Sequence, residues 1–203
     1  MLRLGLDLDG VIFDFNTHFV NLARNRHHEL VCPNVGPEWP TKWDYLDDYL
    51  EQWQLKSMWR YICHQSPTFW RYCPQYSWST ELINVAHDNA DMLYFITSRQ
   101  GPMVQYQTVM ALKDVAPHDD HYGGVIPTPN AEAKIPIIKA LNLSHYVDDK
   151  IETVQAVHQQ CPTVSVAVWD QPWNREATWL PNRLKTVADF TNWISRSKKH
   201  DIL

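Results

Sequence analysis

Residues 2–15 read LRLGLDLDGVIFDF, and the rest of the chain is organised around them. The stretch opens as an apolar run with the alternation of a buried strand. It closes on two carboxylates, Asp7 and Asp9, with Gly10 directly after them. An aspartate at the mouth of a buried strand is costly to desolvate unless something shares its charge. Two of them so close together need a cation or a proton between them. Gly10 lets the backbone turn sharply and approach a ligand. A strand, two acids and a glycine turn predict a site, with Mg2+ the expected cation because it takes hard oxygen ligands.

The chain has 203 residues, which suits one α/β domain with a small insertion and a core that needs no disulfide staples. A net charge of −5 gives no broad attraction for nucleic acid, so no nucleic-acid polymer is expected as a partner. An anionic substrate would need a local cation, either a metal or a placed lysine. Cys32, Cys63, Cys73 and Cys161 form no CxxC pair and predict reduced thiols. The N-terminus enters a strand without a signal-peptide pattern, and no apolar run approaches ~18 residues. The expectation is a cytoplasmic protein with no membrane span.

After the opening strand a helix is expected over 16–28. Residues 32–80 then change character. Pro33, Gly36, Pro37 and Pro40 mark a loop. Trp43, Tyr45, Tyr49, Trp53, Trp59, Tyr61, Phe69, Trp70, Tyr72, Tyr76 and Trp78 follow among polar residues, with short helical patches at 44–53 and 55–64. This is too long for a simple βα loop and predicts a small helical cap inserted after the first strand. The cap takes residues 16–79, and the α/β core takes 1–15 and 80–203. Most of the cap aromatics are expected to build its small core. At least one ring should face the pocket and stack on a flat ligand.

From residue 80 onward the pattern alternates. Helices are expected at 80–89, 104–112, 131–141, 151–159 and 189–197, and strands at 92–96, 124–126, 145–147 and 163–169. Such alternation implies a Rossmann-like, doubly wound parallel sheet with right-handed crossovers, whose ligands sit beyond the carboxyl ends of the strands. Asp7 and Asp9, Thr97 and Ser98, and Asp148 and Asp149 all fall at that edge, on three separate strands. Lys134, at the start of its helix, can lean over the same edge.

This arrangement resembles the haloacid dehalogenase-like (HAD) superfamily of aspartate-nucleophile phosphohydrolases. DLDGV at 7–11 matches its first motif and Thr97 or Ser98 its second. Lys134 fits the third, and the Asp148–Asp149 pair fits the fourth. Within the superfamily, DLDGVIFDF followed by a short helical cap is similar to the 5′(3′)-deoxyribonucleotidase group. That likeness implies that Phe15 lines a base pocket and that Phe69 and Trp70 form its apolar wall.

The resemblance also implies a chemistry. Asp7 would attack phosphorus and form an aspartyl-phosphate. Mg2+ would be held by Asp7, the backbone carbonyl of Asp9 and one carboxylate of the Asp148–Asp149 pair, the choice between those two staying open. The Asp9 side chain would protonate the leaving oxygen and then activate water. Thr97 or Ser98, with Lys134, would hold the phosphoryl oxygens. Gly10, Ser98, Arg99, Phe15, Phe69 and Trp70 make up the candidate substrate-binding set. The expected substrate is a small phosphate monoester, a nucleoside monophosphate. The alternatives are a sugar or other small phosphate and, in another class, a nucleotide- or metal-binding protein without catalysis. The aromatic surface also suits contact between two copies of the chain.

Overall fold

A computed structural model describes residues 1–116, 122–178 and 182–200. Its six strands are β1 (Arg3–Leu6), β2 (Met92–Thr97), β3 (Tyr122–Pro127), β4 (His145–Asp148), β5 (Ser165–Trp169) and β6 (Arg183–Leu184). They form one parallel sheet in the order β3-β2-β1-β4-β5-β6. The chain runs outward from β1 to β2 and β3, then crosses back to β4 on the other side of β1. That reversal opens a crevice at the carboxyl ends of β1 and β4, the place where such sheets bind ligands. Leu6 pairs with Val147, which sets Asp7 level with Asp148, and the Asp7 N–H donates to the Val147 carbonyl at 2.9 Å.

The helices among the described residues are α1 (Phe15–Arg26), α2 (Gln52–His64), α3 (Ser79–Asn89), α4 (Val104–Val115), α5 (Lys134–Ala140), α6 (Ile151–Gln160) and α7 (Val187–His200). α3 to α7 cover the two faces of the sheet, and the strand side chains alternate between two cores to match. Leu4, Leu6, Leu93, Phe95, Val147 and Ala167 pack with α3, α4 and α7. Tyr94, Ile96, Tyr146, Val166 and Val168 pack with α5 and α6. Burying each large apolar side chain contributes about 1.5–3 kcal/mol, so the two layers drive the sheet together. Gly5 belongs to the second face. A Cβ there would fall 2.6 Å from Leu143 Cδ1 and 2.8 Å from Tyr146 Cδ2. Its missing side chain is what lets the Tyr146 ring lie against β1.

α1 is capped by Asp14, whose carboxylate accepts from the Thr17 N–H at 2.9 Å. Phe15, Phe19, Val20 and Ala23 form its buried stripe. Between α1 and α3 lie a short 3-10 turn, Tyr45–Asp48, and α2. α2 packs through Leu55, Met58 and Ile62 at helical spacing, and the Glu51 N–H donates to the Gln54 side chain at 2.8 Å.

The aromatics of this segment do not form the separate small core expected of them. Tyr45, Phe69 and Trp70 join the core that also contains β1. Trp43, Tyr49, Trp53, Trp59 and Tyr72 stay 38–69% exposed. Leu55, Met58 and Ile62 of α2 pack beside the buried rings in the same core.

The sequence and the structure differ at other edges as well. β6 was not anticipated, because two residues carry no periodicity. α5 begins at Lys134 rather than at 131, with Pro136 still inside its first turn, where the missing N–H costs nothing. All four cysteines are free. No helix among the described residues is long and apolar enough to cross a membrane.

Candidate active site

The turn after β1 is built by its own backbone. The Leu8 carbonyl accepts from the Ile12 and Phe13 N–H groups at 2.8 and 2.9 Å, and the Gly10 N–H donates to the Phe13 carbonyl at 2.9 Å. Gly10 has φ 83°, where an L side chain is strained, and a Cβ would run into the Asp149 carboxylate. Glycine is needed on both counts. The turn leaves Asp7 on the floor of the crevice and carries Asp9 to its side.

On the floor, the Lys134 ammonium donates to Asp7 Oδ1 and to Asp148 Oδ2, both at 2.8 Å. The Tyr146 hydroxyl donates to the same Asp148 Oδ2 at 2.7 Å, and the Lys150 N–H donates to Asp148 Oδ1 at 2.9 Å. Asp149 accepts the Trp173 indole N–H on Oδ2 at 2.9 Å. Asp7, Asp148 and Asp149 are buried, and each offers an oxygen within 4.8 Å of the others.

Burial pushes the Asp7 carboxyl up to about 7, the Lys134 ammonium opposing this and the charges of Asp148 and Asp9 adding to it. Burial, with the charges of Asp148 and Asp7, also holds Asp149 well above the ordinary carboxylate value. Burial works against the charge on Lys134, yet the Asp148 and Asp7 carboxylates outweigh it and raise that ammonium well above its usual value. Three carboxylates against one ammonium leave negative charge uncompensated in a dry place. An all-oxygen donor set with excess negative charge fits a hard divalent cation such as Mg2+.

Asp9 faces the other way. Arg99 Nε donates to its Oδ1 and Oδ2 at 3.1 and 2.9 Å, and Arg99 Nη2 donates to Oδ1 at 2.7 Å. The guanidinium carbon lies 4.5 Å from the Phe13 ring centroid and 4.9 Å from that of Trp70, so the cation sits between aromatic walls. The Arg99 side chain is wholly buried, and its Nη1 has no hydrogen-bond partner. Most of its donor capacity goes to Asp9 rather than to an open surface.

A cavity of about 480 Å3 opens above these groups. Asp7, Asp9, Ser98, Arg99, Lys134, Asp148 and Asp149 line it on the sheet side. Phe15, Trp59, Trp70 and Trp43 line it on the other side. Phe15 is near parallel to Trp59 and to Trp70, at 5.9 and 5.8 Å between centroids. Three of the proposed residues stand back from the cavity: Gly10, whose N–H and carbonyl are taken by Phe13 and Gln171, and Thr97 and Phe69. Thr97 is fully buried, and its hydroxyl accepts the Arg99 N–H at 3.3 Å. Phe69 packs edge-on behind Trp70 at 4.9 Å, and its carbonyl faces His18 Nε2 at 3.0 Å.

Several residues around the site were not picked out from the sequence. Tyr146 sits two positions before Asp148 on β4, so strand alternation alone puts both on one face. Trp173 follows β5 in a short turn, Pro172–Asn174, whose three residues carry no acid or base. Asp170, for which no role was expected, accepts from Arg175 and Arg183 at 3.1 and 2.7 Å and ties β6 to the sheet.

No family model and no curated protein matches the sequence. Solved structures do match along nearly the whole chain. A HAD-superfamily hydrolase of subfamily IA, variant 1, from Geobacter sulfurreducens superposes with a TM-score of 0.59 at 13% identity, covering 96% of each chain. A HAD family hydrolase from Deinococcus radiodurans, solved with bound phosphate and sodium, gives 0.58 at 9% identity, covering 97% of this chain and 96% of that one. A predicted phosphoglycolate phosphatase from Haemophilus somnus gives 0.53 at 13% identity, over 94% and 96% of the two chains. At such identities the likeness establishes the fold, which is the one these HAD-superfamily hydrolases share.

Proposed function

We propose that the protein is a Mg2+-dependent phosphomonoester hydrolase that forms an aspartyl-phosphate on Asp7 and acts on nucleoside monophosphates. The observation that carries this is the pairing of two separate acid groups at one crevice. Asp7 lies in a buried cluster with Asp148, Asp149 and Lys134, while Asp9 is gripped apart from it by Arg99. A site that only bound a metal would have no use for the second arrangement.

Asp7 and Asp149, with the Asp9 backbone carbonyl, would hold the cation. Both oxygens of Asp148 are already engaged by Lys134, Tyr146 and the Lys150 N–H, whereas Asp149 has the Trp173 indole on one oxygen. The chemistry that bound Mg2+ supplies is charge neutralisation between the carboxylates and a phosphoryl dianion. Lys134 orients Asp7 for in-line attack. The Asp7–phosphorus bond forms, the ester bond to phosphorus breaks, and the leaving oxygen takes its proton from Asp9. Asp9 then accepts a proton from water, which attacks phosphorus and frees Asp7 with release of inorganic phosphate. Ser98, exposed at the cavity edge, is the side-chain donor at hand for the phosphoryl oxygens, beside Lys134. Thr97, one residue behind, supports that strand end through its bond to the Arg99 N–H.

The bound phosphate in the Deinococcus radiodurans hydrolase and the phosphatase description of the Haemophilus somnus protein support the reaction class. The aromatic wall supports the substrate. Trp59, 42% exposed at the cavity wall and backed by the buried rings of Phe15 and Trp70, offers an aromatic surface to a flat base.

Phosphate release from a panel of nucleoside monophosphates and sugar phosphates, with Mg2+ and with EDTA, tests this. Mg2+-dependent release favouring nucleotides is expected. Release from sugar phosphates alone would keep the mechanism and overturn the substrate. Nucleotide binding without release would overturn the enzyme.

A further inference from the structure

The turn that follows β5, DQPWN at 170–174, belongs to none of the motifs above, yet it reaches the site from behind at three points. Gln171 Nε2 donates to the Gly10 carbonyl at 2.5 Å. Asn174 Nδ2 donates to the Asp149 carbonyl at 2.8 Å, and the Trp173 indole N–H donates to Asp149 Oδ2 at 2.9 Å. One turn thus holds the glycine bend of the nucleophile loop and both ends of Asp149.

The turn is itself fixed. Asn174 Oδ1 accepts from the Gln171 N–H at 3.1 Å and from Arg183 Nη1 at 2.7 Å, and Asn174 Nδ2 also donates to the Trp169 carbonyl at 2.8 Å. Gln171 and Asn174 are buried. The Trp173 ring is backed edge-on by Trp43 at 5.7 Å. Arg175, the next residue but one, donates to the Pro37 carbonyl at 2.9 Å and so pins the loop that carries Trp43.

We propose that Gln171, Trp173 and Asn174 form a positioning clamp that sets the orientation of Asp149 for the divalent cation, with the Trp173 indole as its decisive contact. The proposal rests on the metal-dependent site described above. A buried carboxylate beside two others rotates away from its neighbours unless a donor holds one oxygen. The indole N–H holds Oδ2 and leaves the second oxygen for the cation. Partners of this kind, which touch a metal ligand and not the metal, change metal affinity by about 10–100-fold when removed. A turn that merely closed the end of β5 would change stability and leave metal affinity alone.

The test uses the full chain. Trp173→Phe keeps an aromatic ring against Trp43 and deletes the N–H. Calorimetric Mg2+ titration should show affinity about 10–100-fold weaker than wild type, with kcat recovering as Mg2+ is raised and KM for the nucleotide unchanged. Trp53→Phe, at an exposed ring remote from the cavity, should bind Mg2+ as wild type does. Equal Mg2+ affinity in wild type and Trp173→Phe would overturn the clamp while leaving the metal site intact. A wild type that binds no Mg2+ would overturn the metal site and the clamp with it. Should Trp173→Phe fail to fold, the indole N–H resonance of Trp173 in the wild type gives the same answer. It should shift with Mg2+ at the calorimetric affinity, and a resonance unmoved at saturation would overturn the proposal.

Discussion

The Arg99 guanidinium holds both carboxylate oxygens of Asp9 across 90 residues of sequence, at 2.7 to 3.1 Å. That grip separates Asp9 from the cluster of Asp7, Asp148 and Asp149, which would otherwise draw it toward a shared cation. A bidentate, planar grip is something lysine cannot reproduce.

Asp9→Asn keeps the shape and removes the acid. Turnover should fall by about 10²–10⁴-fold, the usual share of general acid–base catalysis, with Mg2+ affinity retained. Steady-state kinetics alongside calorimetric Mg2+ titration checks this. Loss of Mg2+ binding would mean that the Asp9 side chain serves the cation and not the proton.

Lys134→Met removes the one ammonium among the described residues that is bonded to Asp7 and Asp148. Breaking a buried pair this way costs about 3–5 kcal/mol, because the carboxylates stay behind unpaired. Urea unfolding at neutral pH should show that loss, together with abolished turnover. A variant as stable as wild type would show that the carboxylates relax into solvent.

Asp7 keeps its proton in the folded chain up to about pH 7, while the unfolded chain gives it up near 3.8. Between those values the folded state binds more protons. Its contribution to stability is full below the lower value and is lost as pH rises through the upper one. Asp149, also raised by burial, acts in the same direction. Without metal, Tm should therefore fall from about pH 5 to about pH 8, and added Mg2+ should raise it most at the alkaline end. Thermal unfolding across that range, with and without Mg2+, checks the sign; a metal-free Tm that climbs with pH would refute it.

Trp59 lies 42% exposed over Phe15 at the cavity wall. Trp59→Ala should weaken nucleotide binding by about 1–3 kcal/mol, the worth of one aromatic–base stack, through KM. Hydrolysis of a small phosphate ester with no base should proceed as in wild type. Equal effects on both substrates would place Trp59 in the closure of the cavity and not in base recognition.

Much of the strand edge was legible in the sequence because its signal is local. An apolar run ending in carboxylates says where β1 and β4 stop, and alternation of strands and helices says which ends share an edge. The pairing of Arg99 with Asp9 was not legible, nor was that of Trp173 with Asp149. Each depends on how a side chain leaves one loop and enters another, which no spacing records. The aromatic segment misled for a physical reason. Large rings in a short stretch read as core, and Tyr45, Phe69 and Trp70 are core, yet Trp43, Trp53 and Trp59 stay exposed while Leu55, Met58 and Ile62 pack beside the buried rings. β6 was too short to carry a pattern at all.

The central place of β1 has a consequence for synthesis. Leu4 is paired on one side with Leu93 and on the other with His145, so β1 waits for its second neighbour until β4, 141 residues on, has been made. While the chain is being translated, the DLDG turn can close on its own backbone, but Asp7 has no Lys134 or Asp148 beside it until much later. Such non-local closure makes folding slow and leaves apolar strand edges open in the meantime. A polypeptide cut short before β4 would carry Asp7 without the Asp148 and Asp149 carboxylates that surround it in the fold. The buried cluster therefore exists only once the chain has been made past β4 and Asp149.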